Sequence, residues 1–138
     1  MTLPQPSVKA YMTMSPHSID LDGTMVEAQR MMRVHGLRHL PVFERGALRG
    51  IVTERDLLLA ETLIGFDTRR VPVSDAMTKS VYTVQANELL ATVSAVMAAE
   101  KYGCAVVVER GEVVGILTTT DICRALSDIL APAPPLHA

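Results

Sequence analysis

Two heptapeptides in this chain have the residue types and spacing to hold a phosphorylated sugar. Gly50-Ile51-Val52-Thr53-Glu54-Arg55-Asp56 and Gly115-Ile116-Leu117-Thr118-Thr119-Thr120-Asp121 each run from an apolar stretch through a threonine to an aspartate three residues on. A helix starting at the threonine exposes unpaired N–H groups and a partial positive charge, which can receive an anion such as phosphate. The threonine hydroxyl can donate to the same phosphate. The carboxylate can accept from both hydroxyls of a vicinal diol, as acidic residues do on ribose. The same pattern also reads as a capping box, which ends a strand and starts a helix without any ligand. Both readings stand at this point, because a duplication copies caps as readily as it copies sites.

Other chemistry is poorly supported. His35 and His39 have the i, i+4 spacing of a helical metal pair. However, Gly36 is placed to end that helix, and no glutamate follows His35. Surface or pocket histidines are expected there, and no metal site. Met25, Met31, Met32 and Met97 read as core filler. Cys104 and Cys123 are too few for a disulfide framework or a four-thiolate zinc site, and their apolar surroundings predict buried thiols. There is no Gly-Lys-Ser/Thr loop and no Gly-x-Ser-x-Gly elbow, so the expectation is a protein that is not an enzyme.

The elements that must position the two corners come from an internal duplication. Met12-Thr13 recurs as Met77-Thr78, 65 positions on, and at the same offset Val8 meets Val73 and Met32 meets Met97. Glu44-Arg45-Gly46 likewise meets Glu109-Arg110-Gly111, and Gly50-Ile51 meets Gly115-Ile116, with no gap. Within each half, Ile19 and Leu21, or Tyr82 and Val84, alternate like a short strand. Met25, Ala28, Met32 and His35, or Leu89, Val93 and Met97, follow at helical spacing, with Asp22 and Asn87 as candidate N-caps. Leu40-Pro41-Val42-Phe43 and Ala105-Val106-Val107-Val108 read as buried strands. Arg45-Gly46 and Arg110-Gly111 turn each chain into a second strand ending at Thr53 or Thr118, and closing helices run from Asp56 and from Asp121. The order β-α-β-β-α, twice, predicts an α/β or α+β sandwich of two repeats packed sheet to sheet with pseudo-twofold symmetry.

Composition narrows the classes further. At 138 residues the chain can bury a core without a metal or disulfide staple. It has 49% hydrophobic and 20% charged residues, which is too apolar for disorder. Thirteen basic against 15 acidic residues give a net charge of −2, against a protein held by bulk charge on nucleic acid or an anionic membrane. Aromatics at 4% and the absence of tryptophan argue against base-stacking platforms. No basic-then-apolar leader and no apolar run of about 20 residues is present, which predicts a cytoplasmic protein.

Gly-apolar-apolar-Thr-x-x-Asp, preceded by Leu37-Arg38-His39-Leu40-Pro41-Val42 and headed by Val8-x-x-Tyr11-Met12-Thr13, resembles a cystathionine-β-synthase (CBS) domain. Val73-Ser74-Asp75-Ala76-Met77-Thr78 opens a second copy in the same way. The resemblance implies a stand-alone tandem pair, or Bateman module. Its domains are expected at 7–65 and 72–130, joined by a linker from Gly65 to Pro72, with a flexible Pro-rich tail over 131–138. Such pairs bind AMP, ADP, ATP or S-adenosylmethionine in clefts between the two sheets, as regulatory ligands rather than required cofactors, and often form flat homodimers. An effector protein that reads the bound state is a further implied partner.

The resemblance also implies roles for individual residues. Asp56 and Asp121 would hold ribose hydroxyls. Thr53, Arg55, Thr118, Thr120, Arg38 and His39 would lie at phosphate or ribose. Pro16, His17 and Ile19, and in the second copy Val81, Tyr82 and Val84, would wall the adenine. Arg38-His39 is matched by Gly103-Cys104, and Pro41 by Val106, so the second copy departs from the pattern. Two unequal sites are therefore expected, with the phosphorylated ligand at the first-copy residues, where an Arg fork suits phosphate. Arg30, Arg45 and Arg49 read instead as solvated surface. Two function classes follow: an adenosine-ligand sensor, or a structural dimerisation module whose ligand sites are vestigial.

Overall fold

The computed structural model describes residues 5–64 and 67–131, and in it the opening of each repeat is built into the body of the other. The first repeat contributes strands β1 (Thr13–Met14) and β2 (Ile19–Asp20), helix α1 (Met25–His35), strands β3 (His39–Glu44) and β4 (Ala47–Thr53), and helix α2 (Glu54–Ile64). The second contributes β5 (Thr83–Val84), α3 (Leu90–Glu100), β6 (Cys104–Glu109), β7 (Glu112–Thr118) and α4 (Thr119–Leu130). The architecture is mixed α/β, as the patterning predicts.

The chain divides into a continuous unit, Pro16–Val81, and a discontinuous unit made of the residues up to Ser15 together with those from Tyr82 onward. These units do not coincide with the sequence repeats. In the discontinuous unit the sheet order is β1-β7-β6-β5, with Thr13 opposite Ile116 and Met14 opposite Gly115. In the continuous unit the order is β2-β3-β4, and Thr78 bridges to Ile51 where the other unit has its β1. The Thr78 and Ile51 amides and carbonyls exchange hydrogen bonds of 2.8 and 2.9 Å.

The same exchange seats the apolar residues. Val8 is fully buried in the discontinuous core with Val84, Leu90 and Leu117, and its N–H donates to the Glu88 carbonyl at 2.9 Å. Val73 is fully buried in the continuous core with Met25, Leu40 and Val52, and its N–H donates to the Gly23 carbonyl at 2.7 Å. Glycine makes the approach of the Met-Thr pairs possible. A Cβ on Gly50 would lie 2.7 Å from the Thr78 carbonyl oxygen, and one on Gly115 would lie 2.7 Å from Met12 Sδ. The repeated glycines and the repeated Met-Thr pairs are thus two sides of one contact.

Local chemistry explains most element ends. Arg45 and Gly46 have φ of 50° and 81°, and Arg110 and Gly111 have 52° and 80°. Two successive left-handed residues make the tight hairpin whose twist matches the strands it joins. Gly36, at φ 65°, ends α1 as expected. The N-caps differ from expectation. Thr24, not Asp22, accepts from the Glu27 N–H at 3.2 Å, because it stands directly before the first helical residue. Asn87 does not cap α3, whose flanking residue is Leu89. Instead the Glu88 carboxylate accepts from the Gln85 N–H at 2.6 Å in the preceding turn.

Met25 and Met32 are buried in the continuous core, with Met31 packed against it, and Met97 is buried in the discontinuous core. Cys104 is half-buried, but Cys123 is exposed, contrary to expectation. On α4 it is Asp121 and Ala125, one turn apart, that face inward, and Cys123 falls between them on the outer side. Most of the linker is described, and in it Val71 is buried. Residues 65–66 and the tail from 132 onward lie outside the described residues. Among the described residues no helix is long and apolar enough to cross a membrane.

Candidate functional site

Both strand-to-helix corners fold as their sequences require. In the continuous unit β4 ends at Thr53 and α2 begins at once. The Asp56 N–H donates to Thr53 Oγ1 at 3.0 Å, and the Thr53 N–H donates to Asp56 Oδ2 at 3.0 Å. This is a complete capping box. In the discontinuous unit Thr118 and Asp121 form the same box before α4. The capping reading of both motifs is therefore a structural fact, and the question becomes what each corner has left over for a ligand.

The first corner has much left over. Asp56 is half-buried, and among the described residues only its Oδ2 is engaged, leaving Oδ1 available as an acceptor. Thr53 Oγ1 accepts from the helix, so its own proton can still be donated. His39 opens β3 directly opposite Thr53. The Arg38 carbonyl accepts from the Glu54 N–H at 2.9 Å, which ties the residue before β3 to the start of α2. Arg38 and Arg55 are exposed, and neither has a carboxylate partner among the described residues. Burial holds the His39 imidazole below its ordinary pKa, the Arg38 charge adds to this, and Asp56 opposes it.

The second corner has little left over. Asp121 is 2% exposed. Its Oδ2 accepts from the Thr118 N–H at 2.9 Å and from Thr118 Oγ1 at 3.2 Å. Its Oδ1 accepts from Arg124 Nη1 at 3.1 Å and from Thr13 Oγ1 at 3.4 Å. The strand start opposite Thr118 is Cys104, whose thiol burial pushes up to about 12. It is neutral near pH 7. The Gly103 carbonyl accepts from the Thr119 N–H at 3.3 Å, repeating the Arg38–Glu54 tie without a cation. Thr120, the counterpart of Arg55, is exposed.

The remaining expected residues divide. Pro16 is half-buried and His17 exposed, and the His17 ring stacks on His35 with centroids 3.8 Å apart. The contact binds His35 to His17 rather than to His39, which sits on a strand. Tyr82 is half-buried, with its ring 5.2 Å from that of Tyr102, and its carbonyl accepts from the Val106 N–H at 2.9 Å. Val81 is half-buried. Ile19 and Val84 are 7% and 3% exposed and belong to the two cores. Arg49 pairs with Glu44 at 3.1 Å, Arg45 sits in the hairpin turn and Arg30 is exposed, which fits a surface role for all three. The partners that sequence reasoning missed are Thr13 and Arg124. For Thr13 the repeated Met-Thr pair was the available signal, and for Arg124 it was the i, i+3 spacing from Asp121.

Comparison with known proteins adds family context to this geometry. The sequence model described as CBS domain matches residues 8–62 and 73–128. The CBS domain-containing protein YhcV of Bacillus subtilis is 32% identical over 116 residues, covering 84% of this chain and 82% of its own length. The crystal structure of the CBS domain pair of protein MJ0100, in complex with 5′-methylthioadenosine and S-adenosyl-L-methionine, superposes with a TM-score of 0.81 at 27% identity, over 91% of this chain and 98% of that one. The structure of CBSX2 in complex with AMP superposes with a TM-score of 0.76 at 27% identity, over 89% and 97%. Three longer enzymes match over only 22% to 24% of their own length, so the likeness there concerns a segment of each.

Proposed function

This chain belongs to the CBS-domain family, and from that premise we propose that it is a regulatory module that binds an adenosine-containing ligand and performs no catalysis of its own. The observation that carries the reading is the first corner. There, a capped helix start leaves Asp56 Oδ1 and the Thr53 proton unspent beside Arg38, His39 and Arg55. Amide dipoles and arginine forks suit a phosphate, and the carboxylate oxygen suits a ribose diol. The ligands in related pairs, AMP in one and methylthioadenosine with S-adenosylmethionine in another, share that nucleoside. AMP, ADP and ATP fit the first corner best, because its free cations, Arg38 and Arg55, are matched by Gly103 and Thr120 in the second. Binding regulates only through a difference in affinity between two states of the protein, which an effector protein would read.

The test is thermal stability with AMP, ATP, S-adenosylmethionine and NAD. A ligand at about 100 times its Kd stabilises by about 2.7 kcal/mol, a shift of a few degrees in a domain of this size. Asp56→Ala is expected to remove the response while the protein still folds. Mass spectrometry of small molecules retained by the native protein identifies the ligand.

A flat response to all four would favour the second reading, a structural dimerisation module, which has an observation of its own. Helix α3 carries no charge from Leu90 to Ala99. With α4 it lines an apolar groove of about 300 Å³ that includes Ile122, Ala125 and the exposed Leu126. Homodimerisation is compatible with either reading and is checked by light scattering.

A further inference from the structure

The two corners have the same backbone and the same capping box, yet their aspartates differ in what a ligand could still take from them. A vicinal diol needs acceptor capacity on the carboxylate, and a buried carboxylate must itself be neutralised or hydrogen-bonded. Asp56 meets the first requirement because its Oδ1 has no partner among the described residues. Asp121 meets the second requirement at the expense of the first. Thr118 engages Oδ2 twice, and Arg124 and Thr13 engage Oδ1 at 3.1 and 3.4 Å. The position equivalent to Arg124 is Leu59, which is 57% exposed and has no charge to offer Asp56. The position equivalent to Thr13 is Thr78, whose backbone bridges to Ile51 but whose hydroxyl makes no hydrogen bond to Asp56 among the described residues. Even the threonine of the cap differs. Thr118 Oγ1 gives its proton to Asp121, while Thr53 Oγ1 only accepts.

We infer that Arg124 and Thr13 are specificity-determining residues that close the second corner, occupying on Asp121 the acceptor sites a ribose would need, so that each chain binds one adenosine ligand, at Asp56. The inference rests on the reading of the first corner given above and adds a stoichiometry and its cause. Arg124 carries most of the effect, since its contact is charged and shorter than that of Thr13. Its guanidinium also gives Asp121 a positive partner that stays with the chain. AMP or methylthioadenosine competing for Oδ1 must displace that partner without bringing a cation of its own.

Calorimetric titration of the intact chain with AMP and with uncharged 5′-methylthioadenosine tests this. The expected result is one equivalent of either compound per chain, lost in Asp56→Asn. Arg124→Leu, which imports the first-repeat residue, is expected to admit a second equivalent of methylthioadenosine. That second equivalent is lost again in Arg124→Leu/Asp121→Asn. Thr13→Val should leave one equivalent or open the second only weakly. Circular dichroism melts on each variant verify folding, and Arg124→Lys, which keeps a cation at the position, should retain single-site binding. Two equivalents in the wild-type chain, binding that survives Asp56→Asn, or a folded Arg124→Leu that stays at one would each overturn the closure while leaving adenosine binding intact. No binding of either compound to the wild-type chain would overturn the ligand reading, and this inference with it.

Discussion

Asp56 and Asp121 occupy equivalent positions in a duplicated sequence, cap equivalent helices with equivalent threonines, and end up in different chemical states. Asp56 is half-buried with one oxygen engaged, whereas Asp121 is buried with both oxygens engaged. The backbone motif thus does not set how much acceptor capacity its acid retains. What separates a candidate site from a structural corner is the set of side chains that consume the remaining hydrogen-bonding capacity of the acid. Those side chains lie outside the motif, in β1 and in the second turn of α4.

The sharpest way to break this comparison is to delete each acid in turn. Asp121→Ala removes a cap and leaves the Thr118 and Thr13 donors facing a buried gap, and is expected to cost about 3 kcal/mol. Asp56→Ala removes a cap alone and should cost about 1 kcal/mol. Urea denaturation of the two variants measures both, and equal losses would mean that the corners differ less than their hydrogen bonds imply. Next come the glycines beneath the Met-Thr pairs. Gly50→Ala drives its Cβ to 2.7 Å from a backbone oxygen, which cannot swing away, and Gly115→Ala drives its Cβ first against a flexible thioether. About 2 and about 1 kcal/mol are expected, in that order.

The smallest effect concerns protons. Because burial and Arg38 hold His39 below its ordinary pKa, the unfolded chain binds that proton more readily than the folded one. The His39 contribution is fully present above about pH 6.5 and is lost as pH falls through the folded-state value. The chain should melt lower at pH 5.5 than at pH 7.5. His39→Cys, which imports the residue of the second corner, should flatten that difference, because the Cys104 thiol does not titrate in this range.

Much of this was legible from sequence because it is local. The hairpin turns follow from Arg-Gly pairs, the buried strands from Leu40–Phe43 and Ala105–Val108, and the helices from apolar spacing. Both capping boxes follow from Thr-x-x-Asp, and the stretches that fold this way lie within a few residues of one another. The exchange of openings was not legible. Val8 fits the core around Val84 and the core around Met25 equally well as an apolar residue, and only long-range pairing of Thr13 with Ile116 decides between them. The cap at Thr24 lies two residues from Asp22 and the cap position of α3, Leu89, two residues past Asn87, shifts that propensity does not resolve. The closure of Asp121 by Thr13 spans 108 positions and leaves no periodic trace.

The interlaced openings also decide where this chain can be cut. A fragment drawn at the repeat boundary would carry β3, β4 and α2 without Val73 and Thr78, and so would lack a buried side chain and a sheet neighbour. Pro16–Val81 keeps both on one uninterrupted stretch of backbone. The other half could be isolated only by splicing the start of the chain onto its end, a circular permutation rather than a truncation.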